Sequence, residues 1–372
     1  MKRILVIFFA IALILFSSTV RCAAESALFD DEVQRIEDSI GDDVSGQMDK
    51  MGTGSVKEIV SNGIDTNSIW EYLLQLLSAY SGSPLSSLVL LTAVLLLASV
   101  AESYTYSLRY TETKEIMGAV VALFVASAAV RPISEMVASS ATVISGASSV
   151  LTVYLPVMAG ILMFSGHAIS SGGYYAAVMT ACQVISQITA TVLTPLLSVF
   201  LSLSVCAGIS ARVRIGGLIE IVSKGFKYVI TISMSIFIAI IGLNSALGGA
   251  ADSVADKAAR FSLSSFIPII GASVSEAYSA LRSSVAILRS GIGVFVILAI
   301  FVSFAPLLVR ALLWSASIGA AKLVSEALSV SSASAVLNGL SAFMAAYRAM
   351  LIAVMTVFLI SSSVMIFVGG QL

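Results

Sequence analysis

Charge is scarce in this 372-residue sequence, at 11% of residues, and only one histidine, His167, is present. The three cysteines, Cys22, Cys182 and Cys206, are too few and too scattered for a disulfide framework or a metal-ligand spacing. No G-x-x-x-x-G-K-S/T loop, H-E-x-x-H helix or G-x-S-x-G elbow occurs. A protease or transferase working inside a membrane needs a paired nucleophile and base, and the sequence offers none. The expectation is therefore a protein without catalytic residues, cofactor, metal or nucleic-acid partner.

What the sequence has in abundance is apolar surface: 58% of residues are hydrophobic, and the mean hydropathy is +1.02. An ordinary soluble domain cannot carry that composition. Long uninterrupted apolar runs, rather than ten-residue alternating segments, predict a polytopic all-α membrane protein instead of a barrel. The near-zero net charge averages two unlike regions. From Glu25 to Glu71 there are twelve acids against Arg35, Lys50 and Lys57, whereas beyond Pro84 there are fourteen bases against nine acids.

Lys2 and Arg3, the apolar stretch Ile4 to Phe16, and the small residues up to Ala24 read as an export signal over residues 1–24. Residues 25–84 then form an exported, acidic, helical arm. Val33, Ile36 and Ile40 recur at helical spacing, and Trp70 and Tyr72 suit a membrane interface. This arm either packs on the membrane domain or offers a contact surface to exported partners.

The membrane domain occupies 85–372. Spans are expected at Leu85–Ala101, Ile116–Val130, Ala176–Ile209 (interrupted at Pro195), Phe226–Leu247, Gly291–Val309 and Met350–Val368. With the arm outside, Arg109 and Lys114 fall inside, as the positive-inside rule requires. The basic loops at 212–227 and 310–348 follow them if the chain crosses once in each intervening stretch.

Two phrases about 112 residues apart nearly repeat: Tyr154-Leu-Pro-Val-Met-Ala-Gly160 and Phe266-Ile-Pro-Ile-Ile-Gly271. A second proline follows each, Pro195 after Pro156 by 39 residues and Pro306 after Pro268 by 38. The spacing predicts a parallel internal repeat, about 116–225 and 226–345, with a closing span at 350–368. Leu151–Phe164 and Leu263–Arg289 would then dip into the membrane or lie along its outer face, with three crossings per repeat as the competing reading. Gly/Pro-interrupted segments and intramembrane charges are where such proteins place their function. The candidate cavity- or partner-facing residues are accordingly Pro156, Gly160, Pro195, Phe266, Pro268, Gly271, Glu276, Arg282 and Pro306.

The stretch Phe261-Ser-Leu-Ser-Ser-Phe-Ile-Pro-Ile-Ile-Gly-Ala-Ser-Val-Ser-Glu-Ala-Tyr278, continued by Val285-Ala-Ile-Leu-Arg-Ser-Gly-Ile-Gly-Val294, resembles the stage III sporulation protein AE family of endospore-forming bacteria. The signal sequence, exported N-terminal region, polytopic domain and length are similar too. The resemblance implies a multi-pass subunit of a mother-cell complex in the outer forespore membrane, acting in a channel or secretion-like assembly needed for forespore development. Its implied partners are other channel subunits, including an ATPase, and the lipid bilayer, with the arm in the intermembrane space. A stand-alone secondary transporter for a small solute is the alternative. The sequence does not fix an oligomeric state.

Overall fold

The computed structural model describes the backbone of residues 30–107, 111–164, 168–209, 216–266 and 271–367, and side chains at 30–104, 116–163, 171–207, 216–242 and 285–366. The expected leader, Cys22, His167 and Pro268 lie outside the described residues. Every described element is helical. Three short helices, α1 (Asp30–Asp38), α2 (Asp42–Lys50) and α3 (Val56–Asn62), lead into α4 (Thr66–Ser107), α5 (Thr111–Phe164) and α6 (Ala168–Ile188). A π-helical turn, Thr189–Leu193, joins α6 to α7 (Thr194–Ile209), and α8 (Gly216–Phe266), α9 (Gly271–Ala327) and α10 (Ser331–Phe367) follow.

Among the described residues, six stretches are long and apolar enough to cross a bilayer: Thr66–Tyr104, Ile116–Met163, Ser171–Ala207, Gly216–Gly242, Val285–Ala327 and Ser331–Ile366. Each expected span falls on a different one, so the polytopic helical class holds. The helices are longer than the apolar runs implied. Ile116–Met163 has 48 residues, about 72 Å of helix against a hydrocarbon layer of about 30 Å.

That length corrects the reading of Leu151–Phe164 as a separate dipping segment: it is the last part of α5, which runs unbroken through Pro132 and Pro156. Proline removes one helical hydrogen bond, and a membrane helix tolerates the loss where neighbours re-satisfy the freed group. The second phrase behaves differently, since α8 ends at Phe266 and α9 begins at Gly271. The first phrase is thus inside a helix, and residues 267–270 of the second lie outside the described residues.

The short N-terminal helices fold by local rules and then dock. Ser55 caps α3 by accepting from Glu58 N at 3.2 Å, and the Glu58 carboxylate accepts from Gly54 N at 3.0 Å, a variant of the capping box. Glu37 on α1 accepts from Val56 N at 2.8 Å, tying α1 to α3. Val33, Ile36, Ile40, Met48, Val56 and Ile59 are buried. A Cβ at Gly291 of α9 would run into Val60, so α3 lies directly on α9. The arm therefore packs on the membrane domain, with Asp31, Asp38, Asp42, Asp43 and Asp49 turned outward.

Helices α9 and α10 form the centre, packed along each other and against α4, α5 and α7. Trp314, Phe295, Phe304, Phe343, Tyr347 and Phe358 are fully buried there. Helices α4 and α8 lie outside and expose Leu, Val and Ile side chains.

Candidate functional site

The proline at 306 is inside α9, half-buried, and its ring denies Val302 O the usual helical donor four residues on. Tyr72 of α4 supplies the replacement: its hydroxyl donates to Val302 O at 3.2 Å. Tyr72 is only 4% exposed, whereas Trp70 is 61% exposed, so of the two expected interface aromatics only Trp70 faces outward. Pro306 is thus a joint between α4 and α9. At Pro195 the backbone adjusts instead. The preceding π turn shifts register, with Thr194 N and its hydroxyl both donating to Thr189 O. The expected interruption of the span at Pro195 is this turn.

Ile185 of α6, Thr189 and Leu193 of the turn, Ile230 and Met234 of α8, and Val354 and Val357 of α10 line an apolar cleft. Mid-helix π turns recur at functional positions. Here the hydroxyls of Thr189 and Ser233 bond back to Ile185 O and Val229 O at 2.7 Å, so the cleft offers little polar recognition.

Pro156 is exposed on α5, and Gly160 has no atom within 4 Å of where a Cβ would stand. Neither Pro156, Gly160, Pro195 nor Pro306 lines the cleft. Phe266 ends α8, and Gly271, Glu276 and Arg282 belong to α9. The surroundings of those four side chains, and all of Pro268, lie outside the described residues.

The structure instead gathers a buried polar junction that starts from the first phrase. Tyr154, fully buried, donates to Ser362 O of α10 at 2.9 Å. One residue away on α10, Ser361 accepts from Cys182 Sγ of α6 at 3.1 Å. From α9, Gly293 makes room for Tyr154 and Ile366, and Arg289, 6% exposed, stands close enough to Tyr154 to act on it electrostatically. The helix α3 covers this end through Val56 and Val60 at Gly291. A guanidinium held in an apolar bundle next to a hydroxyl is the feature to expect at a functional site of a membrane protein. Among the described residues, no group of His, Cys, Asp and Glu side chains that could hold a metal ion forms here or elsewhere.

A second junction lies further along the bundle. Tyr347 of α10 donates to Met136 O of α5 at 2.9 Å, and Arg310 of α9 lies over the Tyr80 ring at 5.5 Å. Arg310 thus makes a cation–π contact with α4.

The profile of the family described as Stage III sporulation protein AE matches residues 51–369, from the end of α2 to the end of the described chain and two residues beyond. The chain belongs to the stage III sporulation protein AE family. Stage III sporulation protein AE of Bacillus subtilis (strain 168) is 20% identical to it over 275 residues, covering 72% of this chain and 68% of that protein. No solved structure matches. Within this family member, the residues that carried the resemblance gain a physical meaning: Gly291 and Gly293 are the places where α3, α5 and α10 close on α9. Sequence reading passed over Tyr154 itself, Ser361, Ser362 and Cys182. The available signals were the buried arginine in an apolar run and the Ser361-Ser362-Ser363 triplet in an otherwise aliphatic helix.

Proposed function

We propose that this protein is a non-enzymatic, multi-pass subunit of the sporulation complex that links mother cell and forespore and sustains forespore development. It would sit in the outer forespore membrane, with the acidic helices α1–α3 in the intermembrane space and an ATPase among its partners. The observation that carries this reading is the family match over residues 51–369 on a chain whose described residues include six helices long and apolar enough to cross a bilayer. The buried centre supports a scaffold or channel-wall role, because the hydroxyls of Tyr72, Tyr154, Ser317 and Tyr347 are consumed in helix-to-helix bonds. In this reading the Arg289–Tyr154 junction fixes α5, α9 and α10 beneath the docked arm, and the acidic outer face of the arm meets exported subunits.

The test is development itself. Loss of the protein should arrest sporulating cells after engulfment, and the protein solubilised from such cells should bring an ATPase and further membrane subunits with it. Normal spore yield from cells without it, or its recovery alone, overturns the proposal. Topology is checked by cysteine labelling with an impermeant reagent. Ser61→Cys on the arm should react from outside, and Gly216→Cys, at the start of α8, should not.

A further inference from the structure

At one height of the bundle the molecule presents two unlike surfaces. The height is fixed by a chain of contacts: Tyr72 to Val302, Phe304 edge-on to Phe358 at 6.1 Å, and Val354 and Val357 beside Thr189, Ile230 and Met234. At that level α4 exposes Trp70, Leu74 and Leu77, and α8 exposes Ile232 and Ile236, all aliphatic or aromatic. At the same level the Ser186 hydroxyl of α6 bonds to Ser148 of α5 at 3.5 Å. Around that contact α5 exposes Ser145, Ser149 and Thr152, and α6 exposes Gln183 and Gln187.

These five residues share one side. Helices α5 and α6 are joined through residues 165–167, and the Ser148–Ser186 contact lies about equally far from that connection on each, so they run antiparallel. Helical rotation then carries 145, 149 and 152, and likewise 183 and 187, to the same face of the pair. Further along that α5 face, Arg131 and Glu135 are exposed and paired at 3.1 Å. The hydroxyls of Ser149 and Thr152 bond back to carbonyls of their own helix, but among the described residues neither glutamine amide has a hydrogen-bond partner.

We propose that this α5–α6 face is where a second copy of the chain packs. Two unpaired amides one turn apart are costly against lipid and need protein or water. A carboxamide carries both donor and acceptor, so a patch containing Gln183 and Gln187 is complementary to itself, as a two-fold contact requires. The Arg131–Glu135 pair adds both signs of charge to the same face. Gly146, with no atom within 4 Å of its Cβ position, and the small side chains around it allow close helix approach, the usual route to helix association in a bilayer. The inference goes beyond the role proposed above and stands independently of it.

The experiment uses the full chain in native membranes, in a Cys22→Ser, Cys182→Ala, Cys206→Ser background. Under mild oxidation Ser149→Cys and Gln187→Cys should give disulfide-linked dimer roughly tenfold above Leu74→Cys and Ile232→Cys, which sit on the lipid-facing sides at the same height. Adding Gln183→Leu and Gln187→Leu to Ser149→Cys should lower the dimer roughly fivefold at unchanged protein abundance. Equal crosslinking at all four positions overturns the proposal. So does absence of dimer: labelling of Ser149→Cys by an impermeant maleimide would then make the face the wall of a water-filled path, and no labelling would leave it to lipid.

Discussion

Gly339 stands where an added Cβ would meet the Cα of Ser204 at 2.9 Å, and Gly291 and Gly293 stand where it would run into Val60 and Ile366. Gly146, Gly160 and Gly172, on the α5–α6 hairpin, have no atom within 4 Å of that position. In the centre, absent side chains let backbones close on one another. On the hairpin they leave an open small-residue face. The same residue type therefore marks a finished contact on one side of the molecule and an unoccupied one on the other, and only the surroundings distinguish them.

The largest test of that contrast is Gly339→Leu. The obstacle is helix backbone, which cannot swing aside as a side chain tip can, so α7 must move off α10. Overpacking of this kind costs about 1–3 kcal/mol and more where backbone must shift. Thermal unfolding in detergent should show a clear loss of stability, and membranes should contain less protein. Unchanged unfolding would mean that α7 and α10 do not approach as closely as described.

Next in size is the proline joint. Tyr72→Phe leaves Val302 O without a donor in a buried place, a loss of about 1–3 kcal/mol. Pro306→Ala restores a backbone N–H to that carbonyl, so Tyr72→Phe should cost far less in its presence. The pair forms a double-mutant cycle with a coupling of about 1 kcal/mol or more. Additive losses would dissociate Tyr72 from the proline. Tyr347→Phe should cost less, about 0.5–1.5 kcal/mol, because Met136 O keeps the helical donor that Val302 O lacks.

These joints show which parts of the fold were legible in the sequence. The six apolar runs and the interruption at Pro195 follow from composition and proline chemistry, and the buried face of α1 follows from the spacing of Val33 and Ile36, continued by Ile40 just beyond it. The continuity of α5 through Pro156 does not, nor does the bond that supports α9 at Pro306. Whether proline breaks a helix depends here on a hydroxyl 234 positions away in sequence, Tyr72 against Pro306. The junction at Tyr154 was hidden for the same reason, since its members come from α5, α6, α9 and α10 and meet only after packing. The repeated phrase contains Tyr154, but the candidates drawn from it are Pro156 and Gly160. Its proline lies on the exposed side of α5, while the tyrosine that heads it is the group that turns inward.

The smallest expected effect on stability is the most informative about the open face. Gly146→Leu points a side chain into space that nothing in the protein occupies, and leucine is a better helix former than glycine by somewhat under 1 kcal/mol. The isolated chain should therefore unfold at an equal or slightly higher temperature, the opposite of Gly339→Leu. If two copies meet across this face, the same side chain holds their helices apart, so Ser149→Cys crosslinking should fall while abundance and unfolding stay level. A drop in unfolding temperature would show that Gly146 already packs against its own chain. Retained crosslinking with unchanged stability would place the contact between copies elsewhere.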